Sequence, residues 1–539
     1  MQHFQAAKAH KQCYLTIILF FLLCGSAISP AFASPENAHA MAYEALQQNE
    51  AQAHNWLYSE FLFESLDDPV TVRLTNDEKI AIDHAPRTQS PMKVGRSKPV
   101  NTKVNFSSFR SAKRRAAPVR GSAGYVRAAE DGGLIYSLTL HSPQAHGMRI
   151  QFSDFDIPDN ADLYLFADDG QVAGPYFGRG PLGTGEFWSH LIFSDHVMLQ
   201  LRYYGPPSTS DLKNSAFRVS QITHIRGAFE SGLCGNNASC IENAECEKGN
   251  KIKDKLTNAV AAMLFESGAW SYLCSGGLIA DTDYSFDRPL FLTAAHCLST
   301  NREAQSLQTF FQYTTPCRTT GSCEPRGARH TLGASILSKN KSTDYTLMEL
   351  SQPPPDGSHY LKWNSTPVAN TDGFPMFRIS HPKGSPQSYT EHAVDPNSTT
   401  CGGLPRGKFI YSQDLFGSTE GGSSGSPVVD SEGKIVGQLY GGCGYNIGDV
   451  CDYQDNWTVD GAFASYFPNI QEILDPQGCP ATETICDDLI DNDCDGFTDE
   501  DDADCDNGGS GDPPGTSCED DSNCASLKCR GRPDAKFCR

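Results

Sequence analysis

Three separated stretches carry residue types that can do covalent chemistry together. FLTAAHC (291–297) runs an apolar strand into small residues and then His296 beside Cys297. KSTDYTLMEL (341–350) places Asp344 at the start of an apolar alternation, and EGGSSGSPVV (420–429) is a Gly-rich turn that presents Ser424 before a new apolar strand. Each has an ordinary reading on its own: a core histidine, a strand-start aspartate, a loose loop. Together they match a requirement. A serine hydroxyl is a weak nucleophile, so it needs an imidazole to take its proton and a buried carboxylate to fix the imidazole's tautomer. Glycines around the serine let the backbone turn sharply and aim N–H groups at a developing oxyanion.

These residues need a rigid scaffold, and the surrounding sequence predicts one made of strands. From 227 to 475 short apolar alternations are broken by turn residues, with little helical periodicity before SYFPNIQEIL (465–474). That length and pattern suit a pair of packed β-barrels. Upstream, LIYSLTL, GMRIQF, ADLYLFA, HLIFS, VMLQLRYY and FRVSQITHI alternate between Gly, Pro, Asp and Asn clusters over 130–226, which reads as a small β-sandwich. No catalytic constellation stands in it, so a prodomain or binding module is expected there.

TAAHC, DYTLMEL and GSSGSP occur in the order His, Asp, Ser, separated by 48 and 80 residues. In this they resemble the chymotrypsin-like serine peptidases, and within that superfamily the secreted bacterial lysyl endopeptidases. The likeness spans about 227–475 and includes CSGGLIADTDYSFDRPLFLTAAHC (274–297), RISHPKG (378–384) and GSSGSPVVDSEGKIVGQLYGG (422–442). It implies an all-β fold of two packed six-stranded β-barrels, preceded by a β-sandwich-like prodomain and followed by a small Cys/Asp-rich tail. It implies His296 as general base and then acid, Asp344 as its orienter and Ser424 as nucleophile, with the N–H groups of Gly422 and Ser424 as the oxyanion hole. Ser423 and Ser426 are neighbours, and Ser424 is chosen because Gly422–Pro427 matches the family's Gly-x-Ser-Gly-x-Pro. Ser423 stands where the trypsin branch has an Asp that pairs with a new N-terminus, so that ion pair is not available from this position.

Substrate preference is less legible. Trypsin-like pockets often carry an Asp six residues before the nucleophile, where this chain has Ser418. The resemblance instead implies a pocket carboxylate downstream of the cleft-lining GQLYGGC (437–443), with Tyr440, Gly441 and Gly442 along the wall and Asp455 or Asp460 supplying the charge. A buried carboxylate there would favour Lys or Arg at P1, the residue on the acyl side of the cut bond, through charge-assisted hydrogen bonds. Without it, a Glu or small-residue preference is the alternative, and a catalytically silent protease-fold adhesion or binding protein is the alternative from another class.

Residues 1–33 read as a secretory signal: Lys8 and Lys11 precede YLTIILFFLL (14–23), and Ala31-Phe32-Ala33 is a small-x-small cleavage pattern. The expected location is extracellular, or periplasmic in transit, with no stable membrane span in the mature form. All 18 cysteines beyond the signal lie at or after Cys234, an even count that in an exported chain implies disulfides. The resemblance implies a Cys274–Cys297 bridge. It also suggests Cys234 with Cys443 or Cys451, and Cys240 or Cys246 with Cys317 or Cys323; Cys401 has no assigned partner.

Residues 34–129 form an N-terminal pro-region containing a basic linker, since 85–127 hold 11 basic and no acidic side chains among Pro, Ser and Gly. The chain then divides into the prodomain (130–226), the peptidase domain (227–475), an Asp/Cys-rich motif (476–506), a spacer (507–517) and a four-cysteine motif (518–539). Arg226-Gly227 is the expected activation cleavage, which would make the chain a zymogen with its own propeptide as partner and proteins or peptides as substrates. The net charge of -22 disfavours a nucleic-acid partner, and residues 479–539 contribute -12 of it (17 acidic, 5 basic). In that tail Asp491, Asp493, Asp495, Asp499 and Asp502 approach a calcium loop around Gly496 and resemble short bacterial cysteine-flanked Asp repeats, so a structural Ca²⁺ is expected, with none needed for catalysis. Cys486, Cys494 and Cys505 could also be read as zinc ligands, although disulfides suit an oxidising compartment better.

Overall fold

The computed structural model describes residues 50–84, 91–107, 109, 117–226, 237–282, 288–318, 325, 328–476, 529–532 and 535–538. The signal sequence, Gly227, Cys234 and the Asp491–Asp502 cluster lie outside the described residues.

The N-terminal part is built on six strands: β1 (Met92–Asn105), β2 (Leu134–His141), β3 (Gly147–Asp156), β4 (Ala161–Phe166), β5 (His196–Tyr203) and β6 (Ala216–Ile225). β2, β5 and β4 are hydrogen-bonded neighbours in one sheet, while β1, β6 and β3 are neighbours in another. β2 and β5 are covered along almost their whole length because each is packed on both faces, which explains near-continuous apolar runs in place of strict alternation. Leu138, Leu199, Phe152, Phe217 and Ile222 meet in one core between the sheets, the sandwich expected for 130–226.

One expectation is corrected. The basic stretch is not linker over Met92–Asn105, because β1 pairs with β6 on one side and with the strand Trp270–Leu278 of the C-terminal part on the other. Three of its four cations are engaged: Arg96 and Lys98 share Glu78, and Lys93 and Arg96 lie over the Trp270 ring, while Lys103 stays exposed. Val104 joins the sandwich core, and Val94 packs with Leu191, Ala262 and Leu264 in a second cluster that reaches the neighbouring barrel.

The C-terminal part contains two barrels. The first uses β7 (Val260–Ser267), β8 (Trp270–Leu278), β9 (Leu290–Ala294), β10 (Gln308–Phe311), β11 (Arg329–Leu332), β12 (Ala334–Asn340) and β13 (Tyr345–Leu350). Hydrogen bonding runs β11-β10-β7-β8-β9-β13-β12, a nearly closed sheet. The second uses β14 (Pro375–Ser380), β15 (Ser388–Val394), β16 (Phe409–Phe416), β17 (Pro427–Val429), β18 (Ile435–Gly444) and β19 (Asn456–Ala462). These run β15-β14-β17-β18-β19-β16, and β16 pairs back to β15 to close six strands. Closure removes free edges and fixes the loops between barrels.

The two halves also share a buried polar contact. Arg149 of β3 is wholly buried, faces Glu266 of β7 at 3.6 Å and donates to the carbonyls of Ser189 and Ser306. Ser97 of β1 donates to the same Glu266 (2.9 Å).

Candidate active site

His296 follows the fully buried strand β9 and is held at both ends of its turn. Ala295 donates its N–H to the Asp344 carbonyl (3.1 Å), and Cys297 is bridged to Cys274 on β8. Asp344 grips the histidine at two points: Oδ2 lies 2.7 Å from the ring Nδ1, and Oδ1 accepts the His296 backbone N–H at 2.9 Å. The carboxylate is 3% exposed and the imidazole 21%, so one ring edge faces the cleft while its orienter stays dry. Asp344 has φ +58°, a left-handed conformation that Asp tolerates better than most residues, and Gln438 fixes it by donating to its carbonyl (2.9 Å).

The serine turn lies between β16 and β17. Gly422 and Gly425 have φ of +100° and +81°, and a Cβ on Gly425 would collide with Thr293 Oγ1 and the Ser275 carbonyl. This close approach packs the turn against β9, two to three residues from His296. Ser275 ties it down: its N–H donates to the Ser424 carbonyl (2.8 Å) and its hydroxyl to the Gly422 carbonyl (2.9 Å). Ser423 is fully buried and takes the Ser380 hydroxyl (3.0 Å). In place of an N-terminal ammonium beneath the turn, buried Glu420 meets Lys383 Nζ at 3.2 Å and accepts from Asn237 Nδ2 at 2.9 Å. His381, behind the turn, is pushed down to about 4 by burial.

The Tyr440 ring packs edge-on against His296 with centroids 5.6 Å apart. Beside it, a Cβ on Gly441 or Gly442 would meet nothing within 4 Å, so the wall is open there. The two aspartates expected near this wall go elsewhere. Asp455 is exposed on the loop before β19, where its carbonyl accepts the Tyr445 N–H. Asp460 is wholly buried and pairs with wholly buried Arg378 at 2.5 Å, inside the second barrel and not at its surface. Arg378 in turn donates to Ser426, two residues past Ser424.

The carboxylate that does meet Ser418 is Asp414, which the sequence reading missed. Its Oδ2 accepts the Ser418 hydroxyl (2.9 Å); its Oδ1 faces Thr458 Oγ1 (2.7 Å) and His392 Nδ1 (2.8 Å). Burial raises this carboxyl, but the His392 side chain and the donors around it outweigh burial and hold it below the usual aspartate value. A signal was present in IYSQDLF: Asp414 takes the inward phase while Leu415 points out, 60% exposed.

Four bridges join described cysteines: Cys240–Cys451, Cys246–Cys317, Cys274–Cys297 and Cys401–Cys443. The second and third follow expectation. Cys443 and Cys451 are corrected from Cys234 to Cys401 and Cys240, because Cys443, near the end of β18, meets the loop before β16, and Cys451, in the loop between β18 and β19, meets Cys240. For a metal, His141, Asp195 and His196 on the N-terminal sandwich have ligand atoms within 4.8 Å of one another, with Asp195 already bonded to His196. No helix among the described residues is long and apolar enough to cross a membrane.

Residues 231–458 match the family described as "Lysyl endopeptidase, C-terminal domain". The chain is 32% identical over 336 residues to a lysyl endopeptidase of Pseudomonas aeruginosa, covering 59% of this chain and 71% of that one. It is 25% identical to secreted RxLR effector protein 73 of Plasmopara viticola, covering 57% and 78%. Among solved structures, an HtrA-type protease AlgW variant with tripeptide aligns at 15% identity and TM-score 0.31, covering 42% of this chain and 62% of that one. The inactive form of the Rv3671c protease aligns at 14% identity and TM-score 0.29, covering 44% and 99%. With its paired barrels, its His–Asp–Ser loops and this identity along most of a relative's length, the chain is a peptidase that belongs to the lysyl endopeptidase family.

Proposed function

We propose that the protein is a secreted serine endopeptidase working through an acyl-enzyme on Ser424, with a preference for a basic P1 residue. The reading is carried by the two-point grip of Asp344 on His296, which engages Nδ1 and fixes the ring so that Nε2 acts as the base. Ser424 Oγ attacks the scissile carbonyl as His296 takes its proton. The oxyanion is met by the N–H groups of Gly422 and Ser424, and collapse expels the amine with the proton returned from His296. Water, deprotonated by the same imidazole, then releases the acyl group and restores the serine. The relative's name, lysyl endopeptidase, motivates the basic P1.

The N-terminal sandwich is the propeptide in this reading, with cleavage at Arg226-Gly227. Arg226 Nε sits 2.7 Å from Asp83 and its N–H donates to the Val94 carbonyl, so the bond follows a pinned strand end. The test is cleavage of a diverse peptide library by the purified protein and by Ser424→Ala, read by mass spectrometry. Cleavage that vanishes in the variant is expected; cleavage that persists in it, or none by either protein, overturns the reading.

A further inference from the structure

The pocket that selects the P1 side chain needs a charge if that side chain is basic, and neither Asp455 nor Asp460 supplies one toward the cleft. Asp414 is better placed. It links the two walls beside the open glycines: Ser418 belongs to the segment leading into the serine turn, and Thr458 of β19 is the direct partner of Gly442 on β18. Its side chain keeps 10% exposure, whereas His392 behind it has none. Behind it, His392 Nδ1 lies 2.8 Å from Asp414 Oδ1 and Nε2 lies 2.7 Å from the Thr390 hydroxyl, so both ring nitrogens have partners and neither turns toward the glycines.

The bonds at Ser418 add a second argument. Its Oγ lies 2.9 Å from Asp414 Oδ2 and 2.8 Å from the Val450 carbonyl, and both neighbours are acceptors. One hydroxyl proton cannot serve two acceptors, so three oxygens converge with a single proton among them. An ammonium group, with three donors and a compact charge, is the complement of that set. The position of Val450 is set by its neighbour Cys451, bridged to Cys240.

We propose that Asp414, with Ser418 and the Val450 carbonyl, forms the acceptor set that receives a lysine ammonium at P1. The charge that selects substrate comes from β16, ten residues before the nucleophile. This rests on the reading of Ser424 as the acylated serine.

The experiment compares kcat/KM on matched peptides with lysine or norleucine at P1, for the unaltered protein, Asp414→Asn and Asp414→Asn/Ser418→Asp. An active-site titrant counts competent enzyme in each. The lysine-over-norleucine ratio is expected to fall about 10–100-fold in Asp414→Asn, the loss of a hydrogen bond to a charged group, and to recover in the double variant. A ratio that stays put, or lysine and norleucine rates that fall together, overturns the proposal. Where Asp414→Asn gives no titratable enzyme, Ser418→Ala decides, because it leaves the Asp414–His392 pair intact: a several-fold lower ratio supports the acceptor set and an unchanged ratio refutes it. If the unaltered protein cleaves norleucine but not lysine peptides, this proposal alone fails. If it cleaves nothing in a serine-dependent way, the peptidase mechanism fails first.

Discussion

Asp460→Asn separates a structural carboxylate from a substrate-binding one. Both Asp460 and Arg378 are fully removed from solvent, and they meet through a single contact of 2.5 Å between Nη2 and Oδ1. Neutralising the aspartate leaves a buried guanidinium without its counter-charge, a change that costs about 3–5 kcal/mol. Replacing both partners with apolar residues of similar volume, as in Arg378→Met/Asp460→Leu, removes the desolvation cost together with the attraction. The double variant is therefore expected to recover much of that loss. Urea unfolding followed by tryptophan fluorescence reads this directly, since Trp457 sits three residues from Asp460 on β19 and Trp363 packs against the helix after it. Because Arg378 also donates to Ser426, kcat/KM should fall for lysine and norleucine substrates in equal proportion. The reasoning is refuted if Asp460→Asn keeps stability within about 1 kcal/mol, the range of an ordinary exposed change, and selectively weakens lysine substrates.

Two further outcomes follow from the same geometry. Lys383→Met leaves Glu420 unneutralised beneath the serine turn; since one lost oxyanion donor costs about 10²–10³ in kcat, kcat should drop toward that range with KM little changed, and steady-state kinetics showing a pure KM effect would contradict it. His224, His330 and His381 are each pushed down to about 4, chiefly by burial. Their unfolded value is near 6.5, so the unfolded chain binds more protons between those limits. Their contribution, on the order of 3 kcal/mol each at most, is complete above pH 6.5 and is lost as pH falls toward 4. Melting temperature measured from pH 7.5 to 4.5 should decline; a flat profile would show that these rings are not held neutral.

The turns of the candidate site were legible where they depend on neighbours in sequence. His296, Ser424 and the flanking glycines sit in short turns whose residue types are dictated by the local backbone, and the structure brings those turns together. Contacts made across many residues were not legible. Asp460 looked like a pocket charge because its partner, Arg378, lies 82 residues away, and the Cys401–Cys443 bridge depends on where two loops end. β1 was hidden by its own lysines and arginines, which suit a linker until Glu78 and Trp270 are seen to neutralise and cover them. Asp414 was passed over because a lone aspartate in an apolar strand carries no chemical motif; only its three partners give it one.

Ser424, and neither Ser423 nor Ser426, is proposed as the acylated nucleophile activated by His296. The direct measurement is peptide mapping by mass spectrometry after treatment with an organophosphorus inhibitor, on the unaltered protein and His296→Ala. One adduct per molecule is expected, on Ser424, formed far more slowly in the variant. An adduct on Ser423 or Ser426, or equal labelling without the histidine, would contradict it.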